Sequence, residues 1–126
     1  MKEIFVPKTV KDFGGPVAPV TIAGGFAFIS GHIAMDPVTG DVIHGSIEEE
    51  TRAAIGNIKM VVEEMGATLD DVVKIDLFMA DMDELDRMNV VYEEFFGTSR
   101  APSRCGVEAK LWGGMKIEIG ATVKLP

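Results

Sequence analysis

Met115-Lys116-Ile117-Glu118-Ile119-Gly120 alternates apolar and non-apolar residues over six positions. That is the period of a half-buried strand. Met115, Ile117 and Ile119 face a core, and Lys116, Glu118 and Gly120 face away from it. Just upstream, Arg104 and the only cysteine, Cys105, open another strand, near Arg104–Leu111. A Gly113-Gly114 turn joins it to the last strand, near Met115–Val123. An arginine and a glutamate on neighbouring strands bracket a space suited to a small substrate. Arginine clamps a carboxylate with two parallel hydrogen bonds, and glutamate moves a proton or orients a water. The same two residues also read as a solvated arginine and a strand glutamate in a weak ion pair.

Two amphipathic helices precede these strands. Ser46 with Glu49 is a capping box, and Ala54, Ile55, Ile58, Val61, Val62 and Met65 follow at a 3.6-residue period, up to a left-handed cap at Gly66. Asp81 with Glu84 reads as a second capping pair, ahead of Leu85, Met88, Tyr92, Phe95 and Phe96, with Gly97 as the stop. Between the helices, Val72 to Ala80 reads as a strand with Val73, Ile75, Leu77 and Met79 on one side. Before them lie a lead-in strand within residues 1–15, an edge strand from Val17 to Ile22 interrupted by Pro19, and a strand Phe26–Ile33. Gly24-Gly25 joins the last two as a hairpin, and Asp36-Pro37-Val38-Thr39-Gly40 is a turn. The order of three strands, helix, strand, helix and two strands predicts an α+β domain over residues 1–126, with both helices on one face of a mixed sheet. No helix remains for the other face, yet Phe26, Phe28 and Phe78 make it apolar. Strands apolar on both sides are buried on both sides, so a homo-oligomer is expected.

The 126 residues are 47% hydrophobic and 25% charged, with a net charge of −8. The acidic balance and the lack of a basic stripe argue against nucleic acid as a partner. One cysteine excludes an internal disulfide framework. No long apolar run predicts a membrane span or a signal peptide, which points to the cytoplasm. His32 and His44, twelve residues apart, read as structural or solvent-facing rather than as metal ligands. The acidic run Glu48-Glu49-Glu50 reads as first-turn charge suited to the helix macrodipole, not as a metal site. Trp112 and Phe28 read as core or interface packing, with pocket lining as the sharper alternative. Cys105 reads as an inert lone thiol, with activation by the adjacent arginine as the sharper alternative.

Four blocks, in order, resemble the Rid family, also called YjgF/RidA. They are Phe28-Ile29-Ser30-Gly31-His32-Ile33 with Asp36-Pro37-Val38-Thr39-Gly40; Ala54-x-x-Asn57-Ile58-Lys59 with Gly66-Ala67-Thr68-Leu69-Asp70-Asp71-Val72-Val73-Lys74; Met88-Asn89-Val90-Val91-Tyr92-Glu93-Glu94-Phe95-Phe96; and Pro102-Ser103-Arg104-Cys105 with Lys116-Ile117-Glu118-Ile119. The resemblance implies a chorismate-mutase-like fold, a mixed six-stranded sheet with two helices on one face. It also implies a homotrimer with sites in the clefts between subunits, needing no metal or cofactor. The implied reaction is hydrolysis of reactive 2-imino acids, or their enamine tautomers, to 2-keto acids and ammonia. Arg104 matches the family's carboxylate-binding arginine and Glu118 its water-holding glutamate. Ser30, Gly31, Asn89 and Cys105 match residues lining the substrate. Val17, in Gly15-Pro16-Val17, stands where the family has a tyrosine. The arginine strand is one residue shorter before Leu111 than the family pattern: aligned from Leu111, Ser103 falls where the arginine stands, and a bulge would restore Arg104 to the pocket. A metabolite-binding module and a ribonuclease remain as other readings of the same residues.

Overall fold

Six strands form one mixed sheet in the computed structural model, which describes residues 1–126. They are β1 (Glu3–Phe5), β2 (Val20–Ala23), β3 (Phe26–His32), β4 (Val72–Met79), β5 (Ser103–Glu108) and β6 (Ile117–Lys124). Their spatial order is β1-β2-β3-β6-β4-β5. Every neighbouring pair is antiparallel except β4 with β5, which run parallel. Helices α1 (Ile47–Glu64) and α2 (Leu85–Phe96) pack against each other on one face of the sheet. This is the α+β architecture expected from the element order.

The alternation in the last strand holds: Met115, Ile117 and Ile119 are buried, with Ala121 and Val123 continuing the row. α1 answers with Ala54, Ile55, Ile58, Val61 and Val62, and α2 with Met88, Val91, Tyr92 and Phe96, all buried. The opposite face carries Phe28, 47% exposed, and Val107, also 47% exposed. Phe26 and Phe78 are half-buried there.

Four local expectations shift. β2 begins at Val20 rather than Val17, because Pro19 lacks an amide donor; its carbonyl instead accepts from Ser30 N at 3.0 Å. Val73 does not join the core. The register between β4 and β6 slips between Val72 and Lys74, so Val72 is buried and Val73 is 42% exposed. Glu84 closes no capping box: Asp81 accepts from Asp83 N at 2.9 Å to start a single 3-10 turn, and Glu84 pairs with Arg87 at 3.3 Å. Finally, β5 ends at Glu108 and does not pair with β6, because β6 enters the sheet between β3 and β4.

The capping box at Ser46 forms as read: Ser46 Oγ accepts from Glu49 N at 3.1 Å, and Glu49 Oε1 accepts from Ser46 N at 3.2 Å. The three acids of this first turn diverge. Glu48 leaves the helix to meet Arg87 at 2.7 Å, whose hydrogen bond holds its carboxyl below the usual range. Glu50 is fully buried. Its carboxylate accepts from Lys116 N at 2.9 Å and Gly45 N at 3.2 Å, with Lys116 Nζ at 3.5 Å. A buried charge is tolerated only when its lone pairs are occupied. Here they fasten the start of α1 to the approach to β6.

His32, at the end of β3, lies level with Ile119 of β6. Its Nδ1 is buried without a partner, and burial pulls its pKa from the usual 6.5 down to about 4.

Two outcomes follow from these buried groups. Glu50→Ala strands two interior amides and should cost about 3 kcal/mol in urea unfolding, with Glu50→Gln costing less; a loss under about 0.5 kcal/mol contradicts the fastening role. For His32, the unfolded chain takes up the proton at higher pH than the folded one. Its contribution is therefore complete above pH 6.5 and is lost as pH falls towards 4. The unfolding free energy should drop across that window by up to about 3 kcal/mol, and His32→Gln should flatten the drop; an unchanged slope in the variant contradicts it.

Candidate functional site

Glu118 sits one residue into β6, between two side chains that go to the core, so its own leaves on the open face. There it lies across Gly31. A Cβ on Gly31 would stand 2.7 Å from Glu118 Oε2, so only glycine leaves room for the carboxylate in this position. The register of β3 against β6 also shifts between Ile29 and His32, which places Gly31 in a local bulge. Ser30 is occupied, its hydroxyl donating to Ala18 O at 2.6 Å. Val17, Ser30, Gly31, His32, Trp112 and Glu118 line one cavity of about 290 Å³. Glu118 takes part in none of the chain's ion pairs.

Arg104 is held elsewhere. On β5 it lies level with Ile75 of β4, whose side chain is buried under the helices. Arg104 therefore leaves the sheet on the helix side. Its Nη1 donates to Asn89 Oδ1 at 2.8 Å, and its guanidinium lies 4.7 Å from the centre of the Tyr92 ring. Asn89 and Tyr92 are three residues apart on α2, so both reach the same strand edge. Burial pushes the Tyr92 phenol up in pKa, and the neighbouring Arg104 charge opposes that rise. Arg104 also joins no ion pair. It is a cation oriented by a neutral amide and an aromatic face, with guanidinium N–H groups left for a ligand.

The residues singled out in the sequence thus fall into two clusters. Val17, Ser30, Gly31 and Glu118 meet in the cavity; Asn89 and Arg104 meet beside α2. Cys105 joins neither, being exposed on the open side of the edge strand, level with Asp76. The neighbouring-strand arrangement of Arg104 and Glu118 is overturned: β4 lies between them, Arg104 level with Ile75 and Glu118 level with Phe78. Two strand spacings and three residues of rise put their Cα atoms about 14 Å apart, and their side chains leave opposite faces. Trp112 is 68% exposed and lines the cavity instead of packing in a core, and Phe28 does not line it. Tyr92, under Arg104, was legible only as a core stripe residue; its four-residue spacing from Met88 gave no sign of a second role. No three His, Cys, Asp or Glu side chains converge as a metal site.

A sequence profile of the endoribonuclease L-PSP family matches residues 12–125. A RutC family protein of Pyrococcus horikoshii is 39% identical over 122 residues, spanning 96% of each chain. The human 2-iminobutanoate/2-iminopropanoate deaminase is 32% identical over 108 residues, which is 85% of this chain and 78% of the human protein. A crystal structure from Thermotoga maritima, provisionally titled an endoribonuclease, superposes with a TM-score of 0.91 at 35% identity, covering 100% of this chain and 99% of the other. The fold, the ordered sequence blocks and these matches agree: the chain belongs to the endoribonuclease L-PSP family, that is, the YjgF/Rid family.

Proposed function

We propose that this protein hydrolyses reactive 2-imino acids, and their enamine tautomers, to 2-keto acids and ammonia at sites that two copies build together. One observation carries the reading. Arg104 and Glu118 are unpaired, oppositely charged and sent to opposite faces of one sheet. Neither cluster alone joins Glu118 to the arginine that the family resemblance gives as the carboxylate ligand. A second copy, docked through the apolar open face around Phe28, Phe78 and Val107, supplies the missing half. A contact that uses two different patches gives a ring where the rotation closes and a filament where it does not; the family resemblance selects a closed ring, a homotrimer.

In such a site Arg104, steadied by Asn89, takes the substrate carboxylate. Glu118 of the adjoining copy accepts a proton from water as its oxygen bonds to C2. The C=N electron pair moves to nitrogen, which takes up a proton. The resulting carbinolamine then expels ammonia as its hydroxyl loses a proton and the C=O forms. Water is the only co-reactant, and no metal or cofactor enters. The imine carbon is already electrophilic, so placement supplies most of the acceleration; well-oriented reactants gain on the order of 7–11 kcal/mol at best. The deaminase name of the human relative supports the reaction class. The reading places this work in the cytoplasm. Binding of a small carboxylate without turnover is the second reading, and Val17 favours it, since it lines the cavity without a hydroxyl to hold water. RNA is a poor fit for a chain of net charge −8 with no cationic stripe.

The test follows the loss of imines generated in situ from 2-aminobutyrate by an amino-acid oxidase, using semicarbazide as the competing trap. The wild type should accelerate hydrolysis. Glu118→Gln should lower kcat about 100-fold or more, while Arg104→Ala should act mainly through KM, and both should melt near the wild-type temperature. No acceleration by the wild type, with saturable binding of 2-oxobutanoate, favours the binding module. Gly31→Ala, which pushes the Glu118 carboxylate aside, should cost about 10-fold or more in kcat/KM with little change in stability; full activity in that variant would show that the contact at Gly31 does not position Glu118.

A further inference from the structure

The cavity beside Glu118 is larger and more apolar than a two-carbon side chain needs. It holds about 290 Å³, near the lower end of pockets that accept whole small ligands. Phe13, Val17 and Trp112 line it while remaining 69%, 61% and 68% exposed. Large apolar side chains gathered at one concave mouth mark a binding surface rather than chance exposure. The polar part of the wall is narrow. Ser30 already donates to Ala18 O, burial keeps His32 uncharged at neutral pH, and Lys11 and Asp12 supply opposite charges. None of Lys11, Asp12 and Glu118 joins an ion pair, and Glu118 is the one set over Gly31 between apolar walls.

Two occupants compete for such a space: a plug of apolar side chains from another copy, or the body of a ligand. A plug that filled the cavity would desolvate the Glu118 carboxylate without giving it a partner, and a buried unpaired carboxylate is strongly disfavoured. A ligand whose polar, electrophilic end meets Glu118 and its water, and whose apolar body lies against Phe13, Val17 and Trp112, satisfies both parts of the wall. We infer that this cavity binds the side chain of a large apolar, preferably aromatic, 2-imino acid, so that the preferred substrates are imines derived from phenylalanine-like rather than alanine-like amino acids. The inference rests on the deaminase reading for the word substrate, and on the cavity alone for the side chain.

Trp112 is the only tryptophan, so its emission reports occupancy without turnover. The probes are 3-phenylpropanoate and butanoate, which carry a benzyl and an ethyl side chain and no reactive carbon. On the intact protein, 3-phenylpropanoate should change Trp112 emission with a Kd at least about 10-fold lower than butanoate, since even one methylene in an apolar pocket is worth about 10–200-fold. Val17→Asp should remove that difference. Equal affinities, or no response to either probe at millimolar concentration, overturn the inference. A parallel arm compares the hydrolysis of imines generated from phenylalanine and from 2-aminobutyrate. Preference for the phenylalanine imine supports the substrate class. Hydrolysis of the small imine at equal or higher kcat/KM overturns the inference while the deaminase reading stands. Tight 3-phenylpropanoate binding with no hydrolysis of either imine overturns the deaminase reading while the apolar side-chain site stands.

Discussion

The two-residue period of the sheet is the constraint on which the rest depends. In β6 it sends Ile117 and Ile119 under the helices and Glu118 to the open face. In β5, two strands away, it sends Arg104 to the helix side, level with buried Ile75. One chain therefore separates the two charged groups that the proposed chemistry brings together. A slip of one residue in either strand would reverse a face. In β6 the sheet resists it because Ile117 and Ile119 are wholly buried beside Ile75, Leu77 and Met79 of β4. β5 is exposed throughout, and its unbroken parallel ladder to β4 sets the face of Arg104.

The first turn of α1 shows how much depends on direction rather than composition. Glu48, Glu49 and Glu50 are consecutive acids, about 100° apart around the helix. One leaves for Arg87, one closes the cap on Ser46, and one turns inward to hold the Lys116 and Gly45 amides. The inward one has the larger structural consequence. It ties the helix to the chain entering β6, two residues before Glu118. Exposed pairs such as Arg52 with Glu94 contribute little by comparison.

Most of the fold was legible because helix and strand periods are written in apolar spacing. The strand alternation at Met115–Gly120, the Ser46 cap, the Gly66 and Gly97 stops and the Gly24-Gly25 hairpin all appear where those rules put them. What failed was non-local. The entry of β6 between β3 and β4, rather than beside β5, leaves no mark on local pattern, so Arg104 and Glu118 looked like neighbours. The bulge at Val73 likewise breaks a clean alternation through tertiary pairing, not through the residue itself. Among candidate residues, Glu118 was found by strand alternation and Ser30, Gly31 and Val17 by resemblance, and the four line one cavity. Tyr92 and Phe13 were not found, since an aromatic on a helix stripe and one in a loop look like packing until the cavity and the guanidinium are seen beside them.

A site completed by a second copy is the central claim, and subunit mixing tests it most directly. Arg104→Ala and Glu118→Gln chains, each with little activity alone at substrate concentrations well below the KM of the arginine variant, are unfolded together in equal amounts and refolded. Half the copies then carry an intact Arg104 and half an intact Glu118, so about a quarter of the sites between copies are whole. Sites shared between copies predict recovery of up to about a quarter of the wild-type imine hydrolysis. No recovery from a mixture that native mass spectrometry shows to contain mixed oligomers would contradict the shared site.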